Sequence, residues 1–542
     1  MEFLEPALAG FGVVFQPANL LFCLIGVTVG MAVGVLPGLG PAASIAVLLP
    51  ITYALEPESA IILLAGIFYG AQYGGTITSV LLRLPGESST VVTAIDGYQM
   101  ARKGRAGAAL GISAVGSFIG GTVAILALTF VAPLVASFAL AFGPAEYTLL
   151  AVLGILLVSA LGEGSVRKAG VSAAIGLLLA TIGRDPLTGV DRFTFGSNNM
   201  ADGIDFVIIA MGIFGVGEIL YNMTLRSGPS PSTPSFKRAL PSREDMRESG
   251  GAIARGSVLG FILGVLPGGG AAVSSLVAYA TEKRISRNPE QFGKGDIKGV
   301  AGPETANNAA ATSSFIPLLS LGIPANATMA VMLGALLLQG ITPGPTLITD
   351  EPAVFWGVIN SMYIGNLFLL LLAIPLIGVF IKLLKVRESI LYPLTLLITM
   401  IGVYTVRTNV FDMFLILVFG VLGFLMKKLG LPQGPLVLAF ILGALIETNF
   451  RQSMILSDGS FDIFIGSPIA ITLSAVIVIV LVLAPAVSWL LARRSKGTRA
   501  ERKDTPAEKK GVQAEKDTVA EKPESAHSQK PVHVNGTNEG QR

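Results

Sequence analysis

Long apolar stretches recur from Leu20 to Leu491, and no other feature of the sequence restricts the fold as strongly. A membrane-spanning helix needs about 20 such residues. Eleven stretches are predicted to be crossings: 58–82, 107–142, 144–161, 166–183, 204–222, 299–320, 352–381, 388–406, 410–427, 433–448 and 465–492. The stretch 107–142 is too long for one straight span, so it must tilt strongly or break near Pro133.

Composition supports a multi-pass, all-α membrane protein. Of the 542 residues, 52% are hydrophobic and 13% are charged, against about 25% charged in a soluble domain. Cys23 is the single cysteine, and the two histidines, His527 and His533, lie near the C-terminus. The body therefore lacks the residues for histidine-based catalysis, a zinc site or a disulfide framework. We expect no enzyme activity, no cofactor, no nucleic-acid partner, and no metal other than sodium.

Two further apolar segments, at about 20–54 and 256–280, are each interrupted by a similar string. The first string is Gly34-Val35-Leu36-Pro37-Gly38, and the second, 230 residues later, is Gly264-Val265-Leu266-Pro267-Gly268. Proline and glycine should break each helix at mid-membrane depth. Broken backbone at that depth must be buried in protein or line a wet cavity. The segments are therefore predicted to be two re-entrant helical hairpins of an internal duplication.

The distribution of lysine and arginine predicts the topology, because these residues concentrate in cytoplasmic loops. If the hairpins enter from opposite faces, the inside segments carry 22 basic residues and the outside segments carry four. The N-terminus is then outside and the tail cytoplasmic. Hairpins that enter from opposite faces make the duplication an inverted repeat, as in secondary transporters.

The predicted domains follow from these assignments. Residues 1–225 form the N-terminal membrane repeat, and 226–255 form a cytoplasmic linker rich in Ser and Pro. Residues 256–492 form the C-terminal membrane repeat. Residues 493–542 are rich in Lys, Glu, Ser and Pro, which is typical of a disordered tail.

Polar, small residues around the two hairpins are the predicted site. Helix N-termini, hydroxyls and amides can bind carboxylate oxygens without a fixed charge. The predicted substrate-binding residues are Gly38, Gly75, Thr76, Ser79, Gly268, Asn307, Asn308, Thr312 and Ser313. The predicted cation-binding residues are Pro37, Pro267, Glu304 and Asn308. Two alternatives stay open: the small residues serve helix packing alone, and Glu304 is a solvated residue at the membrane boundary.

These strings resemble the large permease subunit of the tripartite tricarboxylate transporters, the TctA family. The resemblance covers about Leu20 to Leu491. Its motifs are the two hairpin strings, Tyr69-Gly70-Ala71-Gln72-Tyr73-Gly74-Gly75-Thr76, Leu84-Pro85-Gly86-Glu87, Asp96-Gly97-Tyr98 and Gly302-Pro303-Glu304-Thr305-Ala306-Asn307-Asn308. It implies a bacterial inner-membrane permease with an elevator-type mechanism. It also implies a small four-helix membrane subunit (TctB-like) and a periplasmic solute-binding protein (TctC-like), and it leaves a homodimer of the complex open.

The function implied by the resemblance is ion-gradient-driven uptake of a carboxylate, either a tricarboxylate such as citrate or a di- or aromatic carboxylate. The alternative is a membrane channel or a non-transporting membrane scaffold. No Walker-type Gly-Lys-Ser/Thr motif is present, so ATP is not expected to be the direct energy source. The coupling ion is Na⁺ or H⁺.

Overall fold

The structure is a computed structural model that describes residues 4–36, 40–83, 86–161, 165–185, 187–224, 241–383 and 388–482. All of them belong to one compact unit that extends to Val482. The predicted tail (493–542), the first half of the predicted linker (226–240), Pro37 and Gly38 lie outside the described residues.

Nearly all of the regular structure is helical. The helices in chain order are α1 (Leu4–Val14), α2 (Pro17–Val35), α3 (Pro41–Thr52), α4 (Pro57–Leu82), α5 (Thr93–Arg102), α6 (Ala106–Ala139), α7 (Pro144–Leu161), α8 (Val166–Ala180), α9 (Phe206–Ala210), α10 (Gly217–Thr224), α11 (Arg243–Val265), α12 (Gly270–Ile285), α13 (Lys298–Ser313), α14 (Phe315–Leu321), α15 (Ala327–Leu338), α16 (Leu347–Asp350), α17 (Pro352–Ala373), α18 (Ile377–Leu383), α19 (Glu388–Arg407), α20 (Val410–Leu429), α21 (Gln433–Leu456) and α22 (Pro468–Val482). A π-helical turn, Met211–Val216, joins α9 to α10. Short 3₁₀ turns cover Ser88–Thr90, Asn198–Met200, Pro289–Gln291 and Phe461–Ile465.

Eight helical segments in the described part of the chain are long and apolar enough to cross a membrane. They are α2, α4, α6, α7, the continuous segment Phe206–Thr224, α17, α20 and α21. The helices found at the other predicted crossings, such as α8, α13 with α14, and α22, are shorter or less apolar than these eight segments. An all-α, multi-pass membrane fold is therefore confirmed, while the number of crossings stays a prediction.

The first predicted hairpin is two helices, α2 and α3, with a break between Val35 and Pro41. Proline stands at the first helical turn of both helices, where its missing N–H costs nothing. Helix α2 packs closely on α4 through glycines on both. A Cβ on Gly30 would lie 2.4 Å from the Ile67 carbonyl oxygen, and one on Gly70 would lie 2.5 Å from that of Val27. Only glycine allows this backbone approach, so the small residues here do serve helix packing.

The second predicted hairpin, α11 and α12, repeats the arrangement against α13. Gly256, Gly260 and Gly264 of α11 lie 230 residues after Gly26, Gly30 and Gly34 of α2. A Cβ on Gly260 would lie 2.4 Å from the Ala306 carbonyl oxygen of α13. The duplication seen in the sequence thus extends to the packing of each hairpin on the helix that follows it.

Each repeat continues with the same turn. The residue that follows α4, Arg83, has φ of 57°. The residue that follows α14, Gly322, has φ of 69°, and both conformations are left-handed. Gly86-Glu87 follows the first turn, and Ala325-Asn326 follows the second at the same offset. Asn326 then caps α15 by accepting a hydrogen bond from the Met329 N–H at 3.0 Å.

Several boundaries differ from the sequence prediction. Helix α6 runs unbroken through Pro133, so of the two predicted alternatives, a strong tilt or a break, the break does not occur. Helix α11 begins at Arg243, inside the segment assigned to the linker, because Ser242 and Asp245 form a capping box there. Helices α1 and α15 were not predicted as separate elements.

The one sheet in the described residues is a two-stranded antiparallel pair, β1 (Gly183–Arg184) and β2 (Asp191–Arg192), in which Gly183 faces Arg192. Ion pairs attach its loop to α21. Arg451 contacts Asp185 at 2.9 Å and Glu447 at 2.6 Å, and Arg192 contacts Glu447 at 2.6 Å. The Leu187 N–H, followed by the Arg451 guanidinium, lowers the pKa of Asp185 from 3.8 to about 2.

Candidate functional site

A cavity of about 500 Å³ lies between the hairpin side of the two repeats, where α3, α4, α12 and α15 reach it, and an opposite wall that α7, α10, α20 and α21 of the same repeats form. Its lining residues are Gly40, Pro41, Ala42, Phe68, Gln72, Gly86, Glu87, Ser88, Ser89, Val158, Phe214, Glu218, Gly268, Gly269, Gly270, Ala271, Ala272, Val273, Asn326, Ala327, Thr328, Lys427, Leu431, Pro432, Gln433, Gly434 and Pro435. The starts of α3, α12 and α15 all reach this cavity. Three helix N-termini with partly unsatisfied N–H groups therefore face one space.

The tip of the second hairpin is held in place by backbone contacts. The Gly268 N–H donates to the Ala325 carbonyl at 2.8 Å. Gly268 and Gly270 have φ of 82° and 48°, a region that favours glycine. A Cβ on Gly268 would lie 2.5 Å from the Leu157 carbonyl oxygen of α7. The backbone of the tip thus packs closely on the backbone of α7 in the opposite wall.

The opposite wall carries the basic residue of the cavity and one of the two acidic residues that line it. Lys427, in the last turn of α20, forms an ion pair with Glu218 and lies 5.3 Å from the Tyr221 ring centroid. It is the one basic residue among the described residues that line the cavity. Next to it, the Gln433 amide donates to the Ile213 carbonyl at 3.3 Å and to that of Gly423 at 3.1 Å. Gln433 thereby satisfies a carbonyl of the π-helical turn, a type of turn that often marks functional sites.

A polar network forms part of the hairpin side of the cavity, opposite Lys427. Ser89 donates to Glu87, and Asn307 of α13 donates to Glu87 at 3.4 Å. The Gln72 amide of α4 lies between them. With its nitrogen facing them, it donates to Asn307 Oδ1 at 2.7 Å and to Glu87 Oε2 at 3.1 Å; with its oxygen there, it accepts from Ser89 at 3.3 Å. The network joins side chains from both repeats.

Glu304 lies behind this network and is fully buried. Its two carboxylate oxygens accept hydrogen bonds from Thr76 at 2.6 Å and from Thr93 at 2.5 Å. The interpretation of Glu304 as a solvated boundary residue is therefore wrong. Glu304 is absent from the residues that line the cavity.

The structure places the predicted site residues at two depths. Gly268 lines the cavity, and Asn307 contacts the lining residue Glu87. Farther back, Ser79 donates to Thr90 at 2.9 Å, and Asn308 donates to Ser117 of α6 at 2.7 Å. The other predicted residues described here also lie outside the lining: Gly75, Thr76, Pro267, Glu304, Thr312 and Ser313.

Nine polar lining residues were not predicted as site residues, and four of them are Gln72, Glu87, Asn326 and Lys427. The first three stand in or beside strings that the two repeats share, so the duplication itself was a usable signal. Lys427 was counted among the loop residues, because it stands at the end of a predicted span. Among the residues described, no group of three or more His, Cys, Asp or Glu side chains is placed to hold a metal ion.

Comparison with known families identifies the chain. The family model of the tripartite tricarboxylate transporter TctA family matches residues 20–438. The chain belongs to this family. All of the lining residues, from Gly40 to Pro435, fall inside the match, so the cavity is built from the part that this chain shares with TctA proteins.

Two similar proteins come from Agrobacterium vitis. An uncharacterized 52.8 kDa protein in the TAR-I ttuC' 3' region is 51% identical over 476 residues, which cover 88% of this chain and 95% of that protein. An uncharacterized protein in the TAR-II ttuC' 3' region is 49% identical over 225 residues, covering 42% of this chain and 93% of that protein. No solved structure matches this TctA chain.

Proposed function

We propose that this chain is the large membrane subunit of a tripartite, binding-protein-dependent transporter that takes up a carboxylate by ion-gradient-driven secondary transport. The observation that carries the proposal is the cavity between the hairpin side of the two repeats and the wall that contains Lys427. Its volume of about 500 Å³ is in the range of small-molecule sites. The substrate is citrate or another tri-, di- or aromatic carboxylate.

Carboxylate groups of the substrate bind at both walls. Backbone N–H groups at the starts of α3 and α12 bind one carboxylate, since neither start has a side-chain cap and both present the positive end of a helix dipole. Lys427 binds a second one, sharing its charge with Glu218. The polar residues predicted from the sequence, from Thr76 to Ser313, support the binding surface from behind.

The transport cycle is of elevator type. Eleven crossings and two hairpins form an inverted repeat in the bacterial inner membrane, with the tail in the cytoplasm. The body that carries both hairpins slides along the wall that α7, α20 and α21 provide. The close packing of Gly268 on the α7 backbone at Leu157 supports such a contact, because Gly268 itself presents no side chain to the wall.

Two further subunits complete the transporter, as the family description "tripartite" supports. They are a small four-helix membrane subunit and a periplasmic solute-binding protein that delivers the carboxylate. Inward movement of an anion against a negative-inside potential costs about 2.3 kcal/mol per charge per 100 mV, so a co-transported cation, Na⁺ or H⁺, must offset it.

The test is uptake into proteoliposomes that contain both membrane subunits and the binding protein. An inward Na⁺ gradient at fixed pH should drive accumulation of the carboxylate above its outside concentration, and Lys427→Met should reduce it. A channel would equilibrate the carboxylate without accumulation, and a scaffold would transport nothing. Accumulation driven by a pH gradient alone would assign the coupling to protons.

A further inference from the structure

Four side-chain oxygens meet on the hairpin side of the cavity, two from Glu87 and one each from Ser89 and Asn307. The Gln72 amide can present a fifth oxygen to the same point. None of the four residues was among the predicted cation ligands. Their oxygens come from α4, from the turn after it and from α13, so the cluster exists only when both repeats are folded together.

The cluster is closed on its protein side and open toward the cavity. Gln72 and Ser89 are each 2% exposed and Asn307 is fully buried, whereas Glu87 is half-buried and lines the cavity. Glu87 packs closely on Gly75, since a Cβ on Gly75 would lie 3.1 Å from Glu87 Cγ. An ion could therefore enter from the cavity and exchange most of its water for protein oxygens.

The charge of the cluster selects the class of ion. Oxygen ligands suit hard cations. A single carboxylate among neutral amide and hydroxyl oxygens balances one positive charge. We propose that Glu87, Gln72, Ser89 and Asn307 bind one Na⁺-sized monovalent cation; this inference rests on the proposed function, since it names the site of the coupling ion.

The Gln72 amide can present either its nitrogen or its oxygen to the site. Without a cation, its nitrogen faces Glu87 and Asn307 and donates to both. With a cation bound, the amide turns so that its oxygen faces the same point and becomes a ligand. The empty site thus keeps its oxygens paired, which avoids the cost of buried acceptors without donors.

Cation binding at Glu87 also couples to substrate binding. The Glu87 carboxylate faces the same cavity as the substrate carboxylates, and like charges repel. A bound cation cancels that repulsion, so it raises the affinity for the substrate. By linkage, the substrate raises the affinity for the cation by the same factor.

The experiment measures binding of ²²Na⁺ to the purified full-length chain in the absence of carboxylate. The wild type should bind Na⁺ saturably, with K⁺ competing weakly. Glu87→Gln should lower the Na⁺ affinity about tenfold or more, and Ser89→Ala should lower it severalfold. Glu290→Gln, an exposed acid away from the cavity, is the matched control and should bind as the wild type does. Gel filtration and a melting curve confirm that each variant is folded.

The outcomes separate this site from the proposed function. Absence of saturable Na⁺ binding in the wild type, or equal binding by folded Glu87→Gln, overturns the cation site. If Glu87→Gln does not fold, an unchanged affinity in Ser89→Ala overturns it. Failure of the wild-type complex to take up any carboxylate contradicts the proposed function, whatever the Na⁺ measurement gives.

Discussion

Thr76 of the first repeat donates a hydrogen bond to Glu304 of the second repeat at 2.6 Å, deep inside the protein. Thr93 donates to the other carboxylate oxygen at 2.5 Å. These two hydroxyls bind a fully buried acid across the interface between the repeats. Glu304 therefore links the helices that carry the two hairpins.

Removal of the Thr76 hydroxyl should destabilise this interface. Thr76→Val keeps the shape of the side chain but leaves one Glu304 oxygen without its donor, which costs about 1–3 kcal/mol. We expect a lower melting temperature for Thr76→Val and a nearly unchanged one for Thr76→Ser, measured on the purified chain. Equal melting temperatures for Thr76→Val and the wild type would show that this hydrogen bond contributes little.

A methyl group on the glycines between α2 and α4 should separate the helices. In Gly30→Ala the new Cβ would lie 2.4 Å from the Ile67 carbonyl oxygen, so the backbones must move apart. Such overpacking costs about 1–3 kcal/mol. The matched control is Gly170→Ala in α8, where a Cβ meets nothing within 4 Å. Thermal unfolding should show a loss for Gly30→Ala alone; a loss of equal size in the control would contradict close packing as the cause.

Asp96 of α5 should hold the loop between α12 and α13. It accepts hydrogen bonds from the N–H groups of Gly293, Gly295 and Asp296 at 2.7–3.0 Å, and from the Tyr279 hydroxyl at 2.9 Å. Asp96→Ala removes all of these acceptors. Hydrogen exchange at 293–296 should become much faster, while Glu290→Ala in the same loop should leave it unchanged. Unchanged exchange in Asp96→Ala would contradict this role.

The duplication could be predicted from the sequence because short local strings mark it. The two Leu-Pro-Gly strings contain helix-breaking residues, and the 230-residue spacing of Gly34 and Gly264 is visible without a structure. The continuity of α6 through Pro133 was not predictable in this way. A proline inside a membrane helix is tolerated when neighbouring groups satisfy the freed backbone, and that depends on tertiary contacts.

The sequence could not show which polar residues line the cavity and which are buried behind it. Gln72 and Thr76 stand one helical turn apart on α4, yet Gln72 lines the cavity and Thr76 contacts the buried Glu304. Their different surroundings depend on α13 and on the turn at Glu87, which come from distant parts of the chain. Pattern alone therefore marked strings that reach the cavity, and it did not show which of their residues line it.

The loop around Asp185 should resist acid. The pKa of Asp185 is lowered from 3.8 to about 2, so its contribution to stability is present above about pH 3.8 and is lost as pH falls through about 2. Protection of the Leu187 and Thr188 amides, which donate to Asp185 at 2.9 and 3.2 Å, should follow this range in hydrogen exchange. In Arg451→Gln the loss should move to higher pH. Loss of protection at the same pH in both proteins would contradict the role of Arg451.

The most direct test of the account is whether a transported carboxylate occupies the cavity between the hairpin side of the repeats and the wall that carries Lys427. Ser88→Cys places a thiol on the exposed lining, whereas the native Cys23 is buried and gives little background. Thr349→Cys, exposed on α16, is the control outside the cavity. In the reconstituted complex, a carboxylate that the complex transports should slow labelling of Ser88→Cys by a small thiol reagent and leave Thr349→Cys unchanged. Equal labelling of Ser88→Cys with and without that carboxylate would contradict the assignment of this cavity as the substrate site.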